Sequence, residues 1–267
     1  MIPIILTISG SDSSGGAGIQ ADIKAIHANG GYAASVVTAI TAQNTVEVSD
    51  NIDLPVSIIE SQLDAVLSDM SLDAVKIGML ASGEIVESVA WKLEEHEVRP
   101  IVVDPVMTSK SGYELLDPDS VSTLVRELLP LACILTPNAD EAGFLVGGRV
   151  ETLSDAREAA RIIHGMGPKY VLVKGGHIDE EGDAVDILFD GNSFFEYRKE
   201  RIESINTHGT GCTFASAIAT NLAKGMKVPE AVRAGKIYVT EAIRHGLSIG
   251  AGNGPTDHFY RDRTDVT

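Results

Sequence analysis

Short apolar runs alternate with stretches whose apolar residues recur every three or four positions, and the alternation persists through most of the chain. Residues 2–8 read as a first strand and give way to the polar, glycine-rich stretch 10–18. Ile19, Ile23 and Ile26 then share one helical face, with Asn29-Gly30-Gly31 as the stop. A second strand is expected within 33–42. Beyond Pro55, the residues Ile59, Leu63, Val66, Leu67 and Met70 keep helical spacing. A strand over 74–79, a helix carrying Ile85, Val89 and Leu93, and a strand over 101–106 follow. Val121, Leu124, Val125 and Leu128 mark another helix. Ile134-Leu135 form a short strand that breaks at Thr136-Pro137-Asn138. A helix over 155–164 precedes a strand over 170–174 that ends at Gly175-Gly176.

Residues 184–198 have a different texture, with two short strand-like runs around Asp190-Gly191, a hairpin signal. Phe214, Ile218 and Leu222 form one stripe of the next helix. The last helix is expected from Pro229, a good first-turn residue, to about 245–246. Repeated strand–helix units imply an α/β fold with a mostly parallel central sheet and helices on both faces. With no linker or internal repeat, residues 1–267 read as a single domain. In such sheets ligands bind beyond the carboxyl ends of the strands. The informative polar residues fall there: 10–18, Gln43-Asn44, Met79, Asp104, Asn138 and Lys174-Gly175-Gly176.

Composition narrows the function. A net charge of −17 argues against a protein that coats nucleic acid or an anionic membrane. No apolar run approaches the roughly 18 residues of a membrane span, and the apolar start lacks the basic flank of a signal peptide. A cytoplasmic protein is expected. Two cysteines, Cys133 and Cys212, exclude a disulfide scaffold, and Cys133 reads as a buried strand thiol.

The densest chemistry lies at Thr207-His208-Gly209-Thr210-Gly211-Cys212, directly before a helix. Glycines there let backbone N–H groups surround an anion, and the helix terminus adds partial positive charge. The same terminus favours a thiolate at Cys212. An ordinary glycine turn fits these residues equally well. Asp104 and Glu141 are candidate partners for a hydrated magnesium ion. Asn138 and Glu141 also suit a simple helix cap with a charge-complementing first-turn residue. Lys174, between a strand and two glycines, is placed to neutralise phosphate. His177 reads as a loop or nucleotide-contacting residue, and His208 is ambiguous. Neither a phosphate-binding GxxxxGK[ST] loop nor a complete GxGxxG fingerprint occurs, and zinc motifs are absent. Gly246-Leu247-Ser248-Ile249-Gly250 imitates a serine nucleophile elbow, but a helix rather than a strand precedes it.

Residues 9–22, Ser9-Gly10-Ser11-Asp12-Ser13-Ser14-Gly15-Gly16-Ala17-Gly18-Ile19-Gln20-Ala21-Asp22, resemble the opening of hydroxymethylpyrimidine/phosphomethylpyrimidine kinases. Thr41-Ala42-Gln43-Asn44-Thr45, Lys76-Ile77-Gly78-Met79, Asp104-Pro105-Val106-Met107, Thr136-Pro137-Asn138 and Gly209-Thr210-Gly211-Cys212 continue the resemblance in order, over almost the whole chain. It implies a three-layer α/β/α ribokinase-like fold, a homodimer, and ATP- and Mg2+-dependent phosphorylation of a hydroxymethylpyrimidine, then of its monophosphate. Pyridoxal kinases of similar sequence share the cysteine, which leaves a pyridine substrate as the alternative. A catalytically silent pyrimidine sensor is a further one.

Gln43 is the expected reader of the pyrimidine, since its amide offers one donor face and one acceptor face. The resemblance sets Gly10, Asp12, Ala17, Met79 and Val106 around the ring. It makes Cys212 the acceptor of the substrate hydroxyl proton, with the N–H groups of Gly209, Thr210 and Gly211 holding developing phosphate charge. Lys174, Thr207, Asn138, Gly209 and Gly211 are expected to hold ATP, with Asp104 and Glu141 toward the metal.

Overall fold

The computed structural model describes residues 1–108, 115, 120–176, 178 and 182–264. Within them, one nine-stranded sheet runs in the order β3-β2-β1-β4-β5-β6-β7-β8-β9. Its parallel centre comprises β1 (Ile4–Asp12), β2 (Tyr32–Gln43), β4 (Ala74–Ile77), β5 (Ile101–Val103), β6 (Ile134–Leu135) and β7 (Tyr170–Val173). The antiparallel strands β3 (Val48–Asp53) and the hairpin β8 (Asp183–Phe189) and β9 (Phe194–Glu200) close its two sides.

The period of two along each strand sorts side chains into two cores. Leu6, Ile8, Val75, Ile77, Val103, Leu135 and Val171 pack on the face covered by α2 (Val56–Leu67), α3 (Gly83–Glu95), α5 (Ala139–Val146) and α6 (Leu153–His164). Ile5, Ala74, Val102, Ile134 and Leu172 pack on the opposite face, under α1 (Gly18–Ala28), α7 (Thr210–Ala223) and α8 (Val228–Arg244). The Phe214, Ile218 and Leu222 stripe belongs to this second core. The three layers match the expected α/β/α arrangement.

Four local readings differ. β1 continues through Gly10, Ser11 and Asp12, with a register shift against β2 between Ser9 and Ser11, so the glycine-rich loop begins three residues later. β3 was not expected: it is a polar edge strand with only Val48 buried. The helix marked by Val121 is irregular. Three residues, α4 (Val121–Thr123), widen into a π turn over Leu124–Leu128 and tighten into a 3-10 turn over Leu129–Leu131, where Pro130 lacks an N–H. A short helix, α9 (Tyr260–Thr264), also follows α8.

Candidate active site

A cavity of about 770 Å3 opens beyond the carboxyl ends of the parallel strands, and the candidate residues that are described line it. Gly10, Asp12, Ala17, Gln43, Met79 and Val106 contribute from β1, the loop after it, β2 and the turns after β4 and β5. Thr207, Gly209, Thr210, Gly211 and Cys212 enter from α7, and Asp104, Asn138, Glu141 and Lys174 from the turns after β5, β6 and β7.

β1 approaches Met79 closely: a Cβ on Gly10 would stand 2.8 Å from the Met79 sulfur, and that side chain would have to shift. The Asp12 carboxylate, which the resemblance sets beside a substrate ring, lines the cavity, and its oxygens are also held within the protein. They accept hydrogen bonds from Ser14 N (2.8 Å), Gly16 N (3.0 Å), Ala17 N (2.7 Å) and the Ser14 hydroxyl (2.8 Å), and one lies 2.8 Å from His208 Nε2. Burial alone would raise this carboxyl, yet the His208, Ser14 and Ala17 contacts outweigh it and hold it at about 2. Asp12 therefore shapes the 12–17 loop and orients a buried histidine. His208, ambiguous in the sequence, thereby becomes part of the wall.

With Nε2 donating to an anionic carboxylate, that nitrogen cannot also accept from Gln43 Nε2, which lies 3.5 Å away. The Gln43 oxygen meets the Thr41 hydroxyl at 3.2 Å, a hydroxyl that also lies 2.9 Å from the Ser11 carbonyl. Both ends of the amide are thus weakly engaged, and the side chain borders the cavity.

The adjoining wall is built by the start of α7, packed against the 12–17 loop. Gly209 has φ +77°, and no side chain caps the helix. A Cβ at this position would overlap the Gly16 carbonyl, so both conformation and packing call for glycine. The first-turn N–H groups of α7 accordingly have no side-chain acceptor and border the cavity. At Gly211 an added Cβ would stand 3.3 Å from Asp104 Oδ2 and 3.4 Å from Lys174 Nζ, which would fill the cradle.

Burial pushes the Cys212 thiol up to about 11. Lys76 and the Gly18 N–H oppose that rise, while Asp22 and Asp104 add to it. A helix terminus alone would favour the thiolate; here desolvation wins, and the thiol is protonated at neutral pH.

Lys174 Nζ lies 2.6 Å from Asp104 Oδ1 and 3.9 Å from Glu141 Oε2. Burial would lower this ammonium, but the two carboxylates raise it, so it carries its charge. Burial would also raise Asp104, yet Lys174 and Lys76 draw it down. Glu141 behaves oppositely: burial and the Asp104 charge outweigh Lys174 and bring it up to about 7. Asn138 and Glu141 form a reciprocal capping box, with Glu141 N donating to Asn138 Oδ1 at 2.8 Å and Asn138 N to Glu141 Oε2 at 2.7 Å. The helix-cap reading of this pair is therefore realised. Among the described residues, the second oxygen of Glu141 and Oδ2 of Asp104 accept no hydrogen bond.

Two carboxylates with one such oxygen each form no metal cage, and no cluster of three ligating side chains occurs among the described residues. The set suits a hydrated magnesium ion that takes its remaining ligands from water and phosphate. His177 lies outside the described residues.

Two charged residues that the sequence did not single out stand directly under α7. Lys76 and Asp22 are both fully buried, 2.8 Å apart. The one available signal was a charge at an apolar position: Lys76 interrupts the buried run of β4, and Asp22 lies on the buried face of α1. Lys236 and Asp186, 2.8 Å apart, also line the cavity and were missed. The elbow-like Ser248 accepts from Asn206, and His258 Nε2 meets the Thr213 hydroxyl at 2.9 Å, so no serine–histidine pair forms there among the described residues.

Known proteins share this arrangement. The thiamine biosynthesis bifunctional protein ThiED of Geobacter sulfurreducens is 51% identical over 96% of the chain, which spans about half (52%) of that longer protein. The hydroxymethylpyrimidine/phosphomethylpyrimidine kinase of Streptomyces coelicolor is 49% identical over 96% of this chain and 94% of its own length. The structure of the Staphylococcus aureus pyridoxal kinase with AMP-PCP and pyridoxal superimposes with a TM-score of 0.91 at 35% identity, covering 98% of this chain and 96% of that one. The fold is ribokinase-like. Residues 12–257 match the model of the phosphomethylpyrimidine kinase family, and with the cavity, the uncapped α7 and this extent of identity, the chain belongs to that family.

Proposed function

We propose that the chain transfers the γ-phosphoryl group of ATP to the hydroxymethyl group of 4-amino-5-hydroxymethyl-2-methylpyrimidine, and then to the resulting monophosphate. The observation that carries this reading is the N-terminus of α7, capped by no side chain, which meets Lys174, Asp104 and Cys212 in the cavity that the Gln43 amide also lines. Phosphoryl transfer needs positioning and charge stabilisation more than covalent chemistry, and this wall offers both.

Gln43 pairs its amide with the ring nitrogen and amino group of the pyrimidine, while Met79 and Val106 supply apolar walls. Asp12 and Ala17 act through the loop they hold, and Gly10 lets Met79 approach. The N–H groups of Gly209, Thr210 and Gly211 receive developing negative charge, and Lys174 shares it. Thr207 and Asn138 border the phosphates. Asp104 and Glu141 hold Mg2+ through its water shell, and the ion neutralises phosphate charge when bound. Cys212 accepts the hydroxyl proton. Because burial keeps its thiol protonated at neutral pH, the reactive thiolate is a minor form whose population rises with pH.

Residues 1–267 act as one domain in this reading, in the cytoplasm and as a homodimer. Among the described residues no helix is long and apolar enough to cross a membrane. Ile40 and Ile52, register partners on β2 and β3, are 49% and 63% exposed and offer apolar surface to a second copy.

The test is a coupled ATP-consumption assay with magnesium, comparing the hydroxymethylpyrimidine, its monophosphate and pyridoxine. Both pyrimidines should be phosphorylated. Turnover of pyridoxine with none of either pyrimidine would assign the chain to pyridoxal phosphorylation instead, and binding without any turnover would make it a sensor.

A further inference from the structure

The layer between the sheet and α7 holds four polar side chains where the pattern calls for apolar ones. Thr7 on β1 and Lys76 on β4 are register partners. Both project on the face that Ile5 and Ala74 share, toward α1 and α7. Asp22 rises from α1 between them. Its Oδ2 accepts from the Thr7 hydroxyl at 2.6 Å and from Lys76 Nζ at 2.8 Å, and its Oδ1 accepts from the Ser216 hydroxyl at 2.8 Å. Ser216 stands one helical turn after Cys212 on α7. All four residues are within 1% of complete burial.

Stability does not account for this layer. Desolvating a carboxylate and an ammonium consumes most of their attraction, and apolar residues of similar volume commonly serve as well or better. The neighbouring positions Ile5 and Ala74 show that the same face accepts apolar packing.

We propose that the buried Lys76–Asp22 pair is a positioning element for Cys212: Asp22 fixes the first turns of α7 through Ser216, and Lys76 supplies the positive field that offsets negative charge on the sulfur. The inference rests on Cys212 being the acceptor of the substrate proton. Lys76 carries its charge although desolvation is the largest single influence on it, because the fields of Asp22, Cys212 and Asp104 together outweigh that burial. The other charged groups whose fields reach the sulfur are Asp104, beyond β5, and Lys174, beyond β7. Of the cations, only Lys76 is fully buried in the sheet layer; Lys174 is tied to Asp104 at the cavity.

The two members of the pair act on the sulfur in opposite directions, a signature that mere loosening of the fold does not reproduce. The test is the alkylation rate of Cys212 by iodoacetamide, in a Cys133→Ala background that leaves one thiol, at about pH 9, below the thiol's midpoint, where rate follows thiolate fraction. Lys76→Met should slow alkylation about tenfold or more, and Asp22→Asn should speed it by a similar factor. Ile218→Val, which loosens α7 without changing charge, should leave it unchanged. Shifts in one direction for both variants, or no shift, would overturn the proposal. If Lys76→Met does not fold, the Asp22→Asn arm decides alone: a faster rate supports the proposal, and an unchanged or slower one overturns it. Alkylation reads the thiol without turnover, so failure of the base role, seen as full activity in Cys212→Ala, is a separate result.

Discussion

Two helix N-termini face the same cavity and are finished in opposite ways. At α5, Asn138 and Glu141 satisfy each other's backbone N–H groups, and the terminus is sealed by its own side chains. At α7, Gly209 provides no side chain, and the terminal N–H groups border the cavity. A sealed terminus contributes through the charges it displays, here Glu141 beside Lys174. An open terminus contributes its backbone directly to an anion. The contrast assigns metal and charge balance to the α5 side and phosphoryl stabilisation to the α7 side.

The largest expected effect lies on the open side. Cys212→Ala should lower single-turnover phosphoryl transfer by on the order of 10²–10⁴ while leaving pyrimidine binding nearly unchanged. Cys133 is half-buried just before β6 rather than a buried strand thiol, at the end of the sheet away from the cavity, and Cys133→Ala should change neither. In wild type the rate should rise with pH below about 11 as the thiolate fraction grows, and Cys212→Ala should lose that rise.

On the sealed side the effect is smaller and has its own pH signature. Glu141 is protonated below about 7 and ionised above it, so magnesium-dependent activity should gain a limb near that pH. Glu141→Gln, which can still accept from the Asn138 N–H, should remove the limb and raise the magnesium requirement about tenfold, read by metal titration. For the folded state the sign is reversed: a raised carboxyl favours the protonated protein. Its contribution is complete below the unfolded carboxyl range and is lost as pH rises through about 7, so wild type should lose more stability than Glu141→Gln across that window.

Substrate reading is next. Gln43→Leu should weaken pyrimidine binding by roughly 1–3 kcal/mol per ring atom left unpaired, with nucleotide affinity retained, in calorimetric titration. The smallest effect is read in stability. Asn138→Ala removes one member of the capping box and should lower unfolding stability by about 1 kcal/mol in urea denaturation.

Much of the fold was legible because parallel strands buried on both faces read as apolar runs, and Gly, Pro and capping residues punctuate them. β3 escaped because it buries only Val48; an edge strand with polar residues on both faces carries no hydrophobic signal. The irregular turns over 121–131 have helical spacing, and spacing alone does not distinguish a 3.6-residue turn from a wider one. In the site, Gln43 and the Gly209–Cys212 segment were visible as motifs. The role of Asp12 was not, since a carboxylate in a glycine loop suits a ligand contact or a loop anchor, and only the five contacts converging on it decide. Lys76 and Asp22 were hidden more deeply, because their meaning depends on pairing across 54 residues of sequence.

The difference between the two termini is tested most directly by placing a methyl group on the open one. Gly209→Ala forces a side chain onto a left-handed residue and into the Gly16 carbonyl, which tilts the first N–H groups of α7 away from the cavity. Single-turnover transfer from saturating MgATP to the hydroxymethylpyrimidine, measured beside Asn138→Ala and with thermal melts confirming that both variants fold, compares the two ends. The account predicts a loss of about 10²–10³ in rate for Gly209→Ala, and a rate near wild type for Asn138→Ala. Equal rates in the two variants would contradict it.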